Sequence, residues 1–486
     1  MAKNSRCLRL VFILSIALPM LGCGGSNTPA PAPTSTSSVY QVVTVSDLHF
    51  NPLYDASLYS QLVAADPAIQ WPGIFQSSAK KAPSMAGADT NYPLLMLTLN
   101  EMNKHMGTSP VVLFTGDMLG HYIPQNFSCA YYNVPPAVPP TNCPPLDPTA
   151  SAAMQQFIDK TVAFVALQIR AAAGNAPVMF AVGNIDTYDQ AAQGPGSIFL
   201  MNSAKTFYTQ FLSNSVNEQK FTTTFTSGGY YSAQPLGSNL MVIGLNTNSF
   251  VDGGPTSTDA NAELDWLNFQ LAAAQAAGQK VWILMHVPPG ANSQSTAQNA
   301  VKAGTPSEVN EQTTEMMWDS GIQETFLQTL ENYPGVVTLM LAGHTHMDEY
   351  RILSTGNVLE QLPSISPCFG NNPAFKVLTI GQETLAATDY QSYYFNLNSV
   401  PLPTQFASLY QFSAAYSAQG SLNSSLQKLY PLLAGNQAQE NAYTNYYESS
   451  ATALPWDPIT SATWPIFACT ISQMDGPDYI DCVNTY

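Results

Sequence analysis

Six histidines are spread over 486 residues, and five of them fall in short motifs that each close an apolar, strand-like run: His49, His121, His286, His344 and His346. His344 and His346 stand one residue apart behind Gly343, so the two imidazoles can point at two different metals. Oxygen donors sit in the same kind of place, with Asp47 two residues before His49, Asp117 behind Gly116 and Asn184 behind Gly183. Each motif is weak alone, because an Asp-x-His or a Gly-Asp is commonly a turn and an Asn after Gly more often caps a helix. Together they offer mixed nitrogen and oxygen donors, which suit zinc, manganese or iron. One carboxylate shared between two such cations would hold them about 3.5–4 Å apart. His105 has only the bland reading of a helix-end residue.

The elements that must carry these groups follow from the apolar pattern. Tyr40 to Val45 reads as a strand that ends in Ser46-Asp47-Leu48-His49. A helix over Pro93 to Met106 leads to a strand over Val111 to Phe114 and then to Thr115-Gly116-Asp117. A helix over Ala152 to Ala173 precedes a strand over Val178 to Val182 and Gly183-Asn184-Ile185-Asp186. The second half repeats this grammar. Leu240 to Gly244 leads to Leu245-Asn246-Thr247-Asn248, a helix over 261 to 277 precedes Val281 to Met285 and His286, and a helix over 311 to 331 leads to Val336 to Leu341. Strands alternating with helices predict an α/β fold layered around sheets, with sites beyond the carboxyl ends of the strands. From about residue 385, Tyr, Asn, Ser and Gln dominate and strand runs vanish, which predicts a mostly helical C-terminal appendage over 385 to 486.

Residues 1 to 22 carry Lys3, Arg6 and Arg9 ahead of the apolar run Leu10 to Leu21, a signal-peptide pattern too short for a membrane span. The run ends in Met20-Leu21-Gly22-Cys23, which resembles the lipobox of bacterial lipoproteins. That resemblance implies a lipidated Cys23, a flexible tether to residue 39, and anchoring in the outer membrane or cell envelope, with plain secretion as the other reading. A balance of 15 Lys and Arg against 32 Asp and Glu, net −17, argues against nucleic-acid binding. Beyond the leader and Cys23 the close spacings suggest two local disulfides, Cys129 with Cys143 and Cys469 with Cys482, which leaves Cys368 free. Free core thiols are the alternative.

Taken in order, Asp47-x-His49, Gly116-Asp117, Gly183-Asn184, His286 and Gly343-His344-x-His346 resemble the calcineurin-like metallophosphoesterases. Gly116-Asp117-Met-Leu-Gly-His121, His344-Thr-His346-Met-Asp-Glu-Tyr350 and Pro363-Ser-Ile-Ser-Pro-Cys-Phe-Gly-Asn-Asn-Pro373 narrow the likeness to the acid sphingomyelinase-like branch. It implies a layered β-sandwich flanked by helices over residues 40 to 384, without the saposin-like module of acid sphingomyelinase itself. It also implies two divalent cations, zinc first and iron or manganese as alternatives. Asp47, His49, Asp117 and His346 would hold one, and Asp117, Asn184, His286 and His344 the other. Two cations so placed can deprotonate a bridging water and orient it in line with a phosphorus.

The same resemblance places His121 beside the leaving group as a proton donor, and it gives phospholipid head-group or nucleotide-type phosphodiesters as substrates. Loops 122 to 149, 187 to 197 and 290 to 310 are the expected rim. One departure matters. The family usually has a histidine after the Gly-Asn, and Ile185 stands there instead. A metal-loaded but weakly active or inactive surface lipoprotein that binds a phosphorylated ligand is therefore the competing reading.

Overall fold

A computed structural model describes residues 38–190, 197–251, 257–434, 436–452 and 459–486. The leader and lipobox, most of the tether and residues 191 to 196 of the expected rim lie outside them. Among the described residues, twelve strands form two six-stranded sheets. In chain order they begin with β1 (Val39–Val45), β2 (Val112–Phe114), β3 (Val178–Phe180), β4 (Tyr231–Ala233), β5 (Leu240–Gly244) and β6 (Lys280–Leu284). Then come β7 (Val337–Ala342), β8 (Glu349–Ile352), β9 (Val358–Gln361), β10 (Ala374–Gly381), β11 (Ala387–Tyr394) and β12 (Ala407–Gln411).

The first sheet runs β12-β11-β10-β1-β2-β3 and the second β4-β5-β6-β7-β9-β8. In the first sheet β1, β2 and β3 run parallel out to the β3 edge, with β10, β11 and β12 antiparallel on the other side; in the second β5, β6, β7 and β9 are parallel, and β4 and β8 pair antiparallel at the two edges. Side chains alternate across a strand, and the second sheet shows where each face goes. Leu240, Val242, Trp282, Leu284, Leu339 and Leu341 join a core shared with Val43, Val45, Leu113 and Phe180 of the first sheet. Met241, Ile243, Val281, Ile283 and Met340 face the other way, onto Leu264 and Leu271 of helix Ser257–Ala277 and Phe326 of helix Ser320–Glu331. Both faces of the second sheet are therefore buried, and the two sheets form a sandwich with helices outside it.

The expected helix over 311 to 331 begins only at Ser320, because Asp319 caps the turn by accepting from the amides of Gly321 and Ile322. A separate helix, Ser293–Ala303, precedes it. Strands also continue past residue 385: β11 pairs antiparallel with β10 and β12 with β11, which completes the first sheet. The remainder is helical, with Leu422–Leu433, Gln437–Tyr447, Trp464–Thr470 and Gly476–Thr485. Both expected disulfides are present, Cys129–Cys143 across the Pro-rich loop and Cys469–Cys482 between the last two helices. Cys368 is free.

Candidate metal centre

Seven side chains from five strand ends meet at one place. Asp47 and His49 follow β1, Asp117 follows β2, and Asn184 follows β3, while His286 follows β6 and His344 and His346 follow β7. All of these are the carboxyl ends of parallel strands. Five of the seven, Asp47, His49, Asp117, His344 and His346, have backbone φ between 41° and 77°. Such left-handed geometry is uncommon outside glycine and tends to mark functional sites held by their surroundings. Here the holding is backbone to backbone. The amides of Asp47 and His49 donate to the carbonyls of Gly116 and Asp117 at 3.0 Å each, and the amide of Ser366 donates to the carbonyl of Asp47 at 3.0 Å.

Two groups of donors share Asp117. In the first, His49 Nε2 lies 3.0 Å from His346 Nε2 and 3.3 Å from Asp117 Oδ2, and His346 Nε2 lies 3.5 Å from Asp47 Oδ1. In the second, Asn184 Oδ1 lies 2.9 Å from His286 Nε2 and 3.0 Å from His344 Nδ1, and His286 Nε2 lies 3.2 Å from Asp117 Oδ2. Oδ2 of Asp117 therefore faces both groups. Its other oxygen accepts the amide of Ile185 at 2.8 Å. His49 Nδ1 donates to the Leu119 carbonyl at 3.1 Å and His286 Nδ1 to that of Thr115 at 2.8 Å, which turns both Nε2 atoms inward. Nitrogen and oxygen donors converging on one another in a buried site are the arrangement a cation resolves. The donor chemistry fits two divalent metal ions.

Charge follows the same logic. Burial opposes ionisation of Asp117, but His286 and His49 beside it hold its carboxyl well below the usual range. Burial likewise opposes Asp47, which His346 and His49 bring down. His286 is raised to about 9 by Asp117 against the effect of burial, whereas burial and His286 together lower His344 to about 4.

His121 lies against this cluster, its ring stacked on His49 with centroids 4.1 Å apart. A partner that no motif announced holds it. Asp89 Oδ1 accepts from His121 Nδ1 at 2.8 Å, and Asp89 Oδ2 accepts the His121 amide at 2.6 Å. Burial would lower the His121 pKa, yet the hydrogen bonds and charge of Asp89, with a contact to Cys368, raise it to about 11. Cys368 Sγ also lies 3.6 Å from His346 Nδ1. Behind Asp47, the Thr115 hydroxyl donates to Ser46 Oγ at 2.5 Å, and Ser46 in turn donates to Asp47 Oδ2.

Ile185 contributes its amide to the centre and no side-chain chemistry. The turn around it is set by Asp186, whose carboxylate accepts the amides of Met118 at 2.8 Å, Leu119 at 3.1 Å and Gly183 at 3.0 Å. Burial and the nearby Asp117 lift Asp186 to about 6.

Two donor groups that share one aspartate, set beyond the parallel strands of a helix-flanked α/β sandwich, define a two-cation centre of the phosphoesterase type. Residues 40–348 match the model of the calcineurin-like phosphoesterase family, and the chain belongs to that family. It is 23% identical over 465 residues to acid sphingomyelinase-like phosphodiesterase 3b of Homo sapiens, covering 90% of this chain and 89% of that protein. With the cyclic GMP-AMP phosphodiesterase SMPDL3A of Homo sapiens it shares 23% identity over 498 residues, 96% of this chain and 94% of that protein. A match to sphingomyelinase phosphodiesterase C of Dictyostelium discoideum is 26% identical over 242 residues, and it spans 46% of this chain and 49% of that relative. The relatives it resembles are thus named as sphingomyelinase-like and cyclic GMP-AMP phosphodiesterases. Among solved structures, a dimetal phosphatase from Danio rerio aligns with a TM-score of 0.38 and 11% identity, over 76% of this chain and 98% of that one.

Proposed function

We propose that the protein is an exported phosphodiesterase that uses two divalent cations, zinc first, to hydrolyse phosphodiesters of the phospholipid head-group or nucleotide type. The observation that carries this reading is Asp117 Oδ2, which faces the inward nitrogens of His49 and His286 at 3.3 and 3.2 Å. Asp47, His49, Asp117 and His346 hold one cation, and Asp117, Asn184, His286 and His344 the other. When bound, two such cations acidify water and neutralise charge on phosphoryl oxygens.

The chain's own residues do the rest. With Nδ1 committed to Asp89, Nε2 of His121 is the nitrogen left to hand a proton to the departing oxygen. Asp89 keeps the ring oriented and protonated. The usual histidine at position 185 is absent, so His121 carries the acid role alone. Ile185 also favours a second reading, a metal-loaded cleft that binds a phosphorylated ligand without turning it over. The two disulfides support an oxidising compartment, and the leader supports export with a lipid anchor at Cys23.

Hydrolysis of bis(p-nitrophenyl) phosphate by the purified protein, with and without chelator, tests the proposal. Turnover that chelator abolishes and zinc restores is expected. Bound metal without turnover of any diester or nucleotide would favour the binding reading.

A further inference from the structure

Two aromatic rings stand out in solvent beside the metal cluster, and we infer that they form a stacking platform for the base of a nucleotide-type phosphodiester. This rests on the proposed phosphodiesterase reading of the same site. Phe369 is 46% exposed, yet its ring meets those of His346 and His121 edge-on, at centroid distances of 4.5 and 6.1 Å. Tyr122 is 47% exposed, with its ring 6.2 Å from that of His121. The proposed proton donor is thus flanked by two large apolar surfaces that no core residue covers.

Neither ring is left out by accident of a loose loop. Tyr122 has φ 57° and ψ 24°, a conformation costly for a bulky side chain. Its amide donates to Gln190 Oε1 at 2.7 Å, and Gln190 Nε2 donates to the Gly120 carbonyl at 2.7 Å, so one side chain clamps the turn from both sides. Phe369 is tied to the metal loop itself. In its segment the amide of Ser366 and the hydroxyl of Ser364 both donate to the Asp47 carbonyl, at 3.0 and 3.1 Å, and the Pro367 carbonyl accepts the amides of Gly87 at 2.9 Å and Gly370 at 3.0 Å. Each ring is therefore fixed relative to the donors that would hold the phosphate, in a backbone state maintained by contacts other than its own packing.

A planar base one sugar away from a phosphate at the cluster is the group such faces suit, because every base has a π-face and stacking tolerates differences in sequence. A quaternary ammonium fits less well. It calls for an aromatic cage around the cation, and the carboxylate that meets His121 between these rings, Asp89, is already spent on that histidine.

The test is calorimetric binding of AMP and of ribose 5-phosphate to the zinc-loaded full-length protein. These ligands share the phosphate and sugar and differ by the base. AMP is expected to bind about tenfold tighter or more, and the AMP-to-ribose 5-phosphate affinity ratio is expected to fall toward one in Phe369→Ala and Tyr122→Ala. Tyr122→Phe and Phe369→Tyr keep a stacking face and should keep the ratio. Equal affinities in the unaltered protein, or a preference that survives both alanine substitutions, would overturn the platform. If ribose 5-phosphate binds and diesters are hydrolysed, the phosphodiesterase reading survives that failure. If neither ligand binds, that reading falls and the platform falls with it.

Discussion

Asp47 and Asp117 are buried among His49, His286 and His346, a placement that costs several kcal/mol of desolvation per ion unless positive charge joins them. That cost explains why hydrogen bonds fix each donor from behind: Ser46 and Thr115 hold Asp47, Leu119 holds His49, and Thr115 holds His286. His121 stacks on His49 without joining either donor group and owes its state to Asp89. Replacing His121 with Ala is expected to lower turnover about 10²–10⁴-fold with both cations still bound, as read by steady-state rates beside elemental analysis. Loss of the metals in that variant would remove His121 from the acid role. The convergence of the seven candidate donors was legible because each sits within a few residues of an apolar run, a local pattern. Asp89, Cys368, Ser46 and Thr115 matter through partners brought together by folding. The sequence around Asp89 carries no motif, while Ser46, Thr115 and Cys368 lay inside stretches singled out for other residues.

The glycines of the motifs act at the level of the element, by letting strand ends approach. A Cβ on Gly343 would come within 3 Å of Asp47 Oδ2 and closer still to Ser46 Oγ, and one on Gly116, at φ 99°, would come within 3 Å of the Gly183 backbone. Gly343→Ala should push the β7 loop off Asp47 and weaken zinc binding by roughly 10–100-fold. Competition with a chromophoric chelator measures this, and unchanged affinity would show that the loop has slack. Strands rich in Val, Ile and Leu were readable, because fully buried parallel strands appear as apolar runs. β8, β11 and β12 were not, since Glu349-Tyr-Arg-Ile352 and Ala387-Thr-Asp-Tyr390 are polar by composition and become strands by pairing at sheet margins. Composition alone therefore hid the way the first sheet crosses residue 385.

Across the whole molecule, one buried charge cluster joins the parts. Lys376 on β10 lies 2.7 Å from Asp348 and 2.8 Å from Glu360 on β9, which links the first sheet to the second. Asp348 also accepts from the hydroxyl of Tyr410 on β12 at 2.8 Å, and its amide donates to the Tyr447 carbonyl of a C-terminal helix at 2.8 Å. Burial lifts both carboxyls, and Lys376 offsets that. Lys376→Met should therefore cost about 3–5 kcal/mol in urea unfolding, because it leaves the buried carboxylates of Glu360 and of Asp348, the latter two residues from His346, without their cation. A cost below about 1 kcal/mol would mean that water reaches the cluster. The central claim is that two cations share Asp117, and calorimetric titration of the metal-free protein with zinc at pH 7 tests it most directly. His286, raised to about 9, is protonated at that pH and must release its proton to bind, whereas His344, lowered to about 4, is already neutral. The predicted result is two zinc equivalents per chain with net proton release that fades above about pH 9, and both equivalents weakened in Asp117→Ala. A single equivalent, or none, would contradict the account.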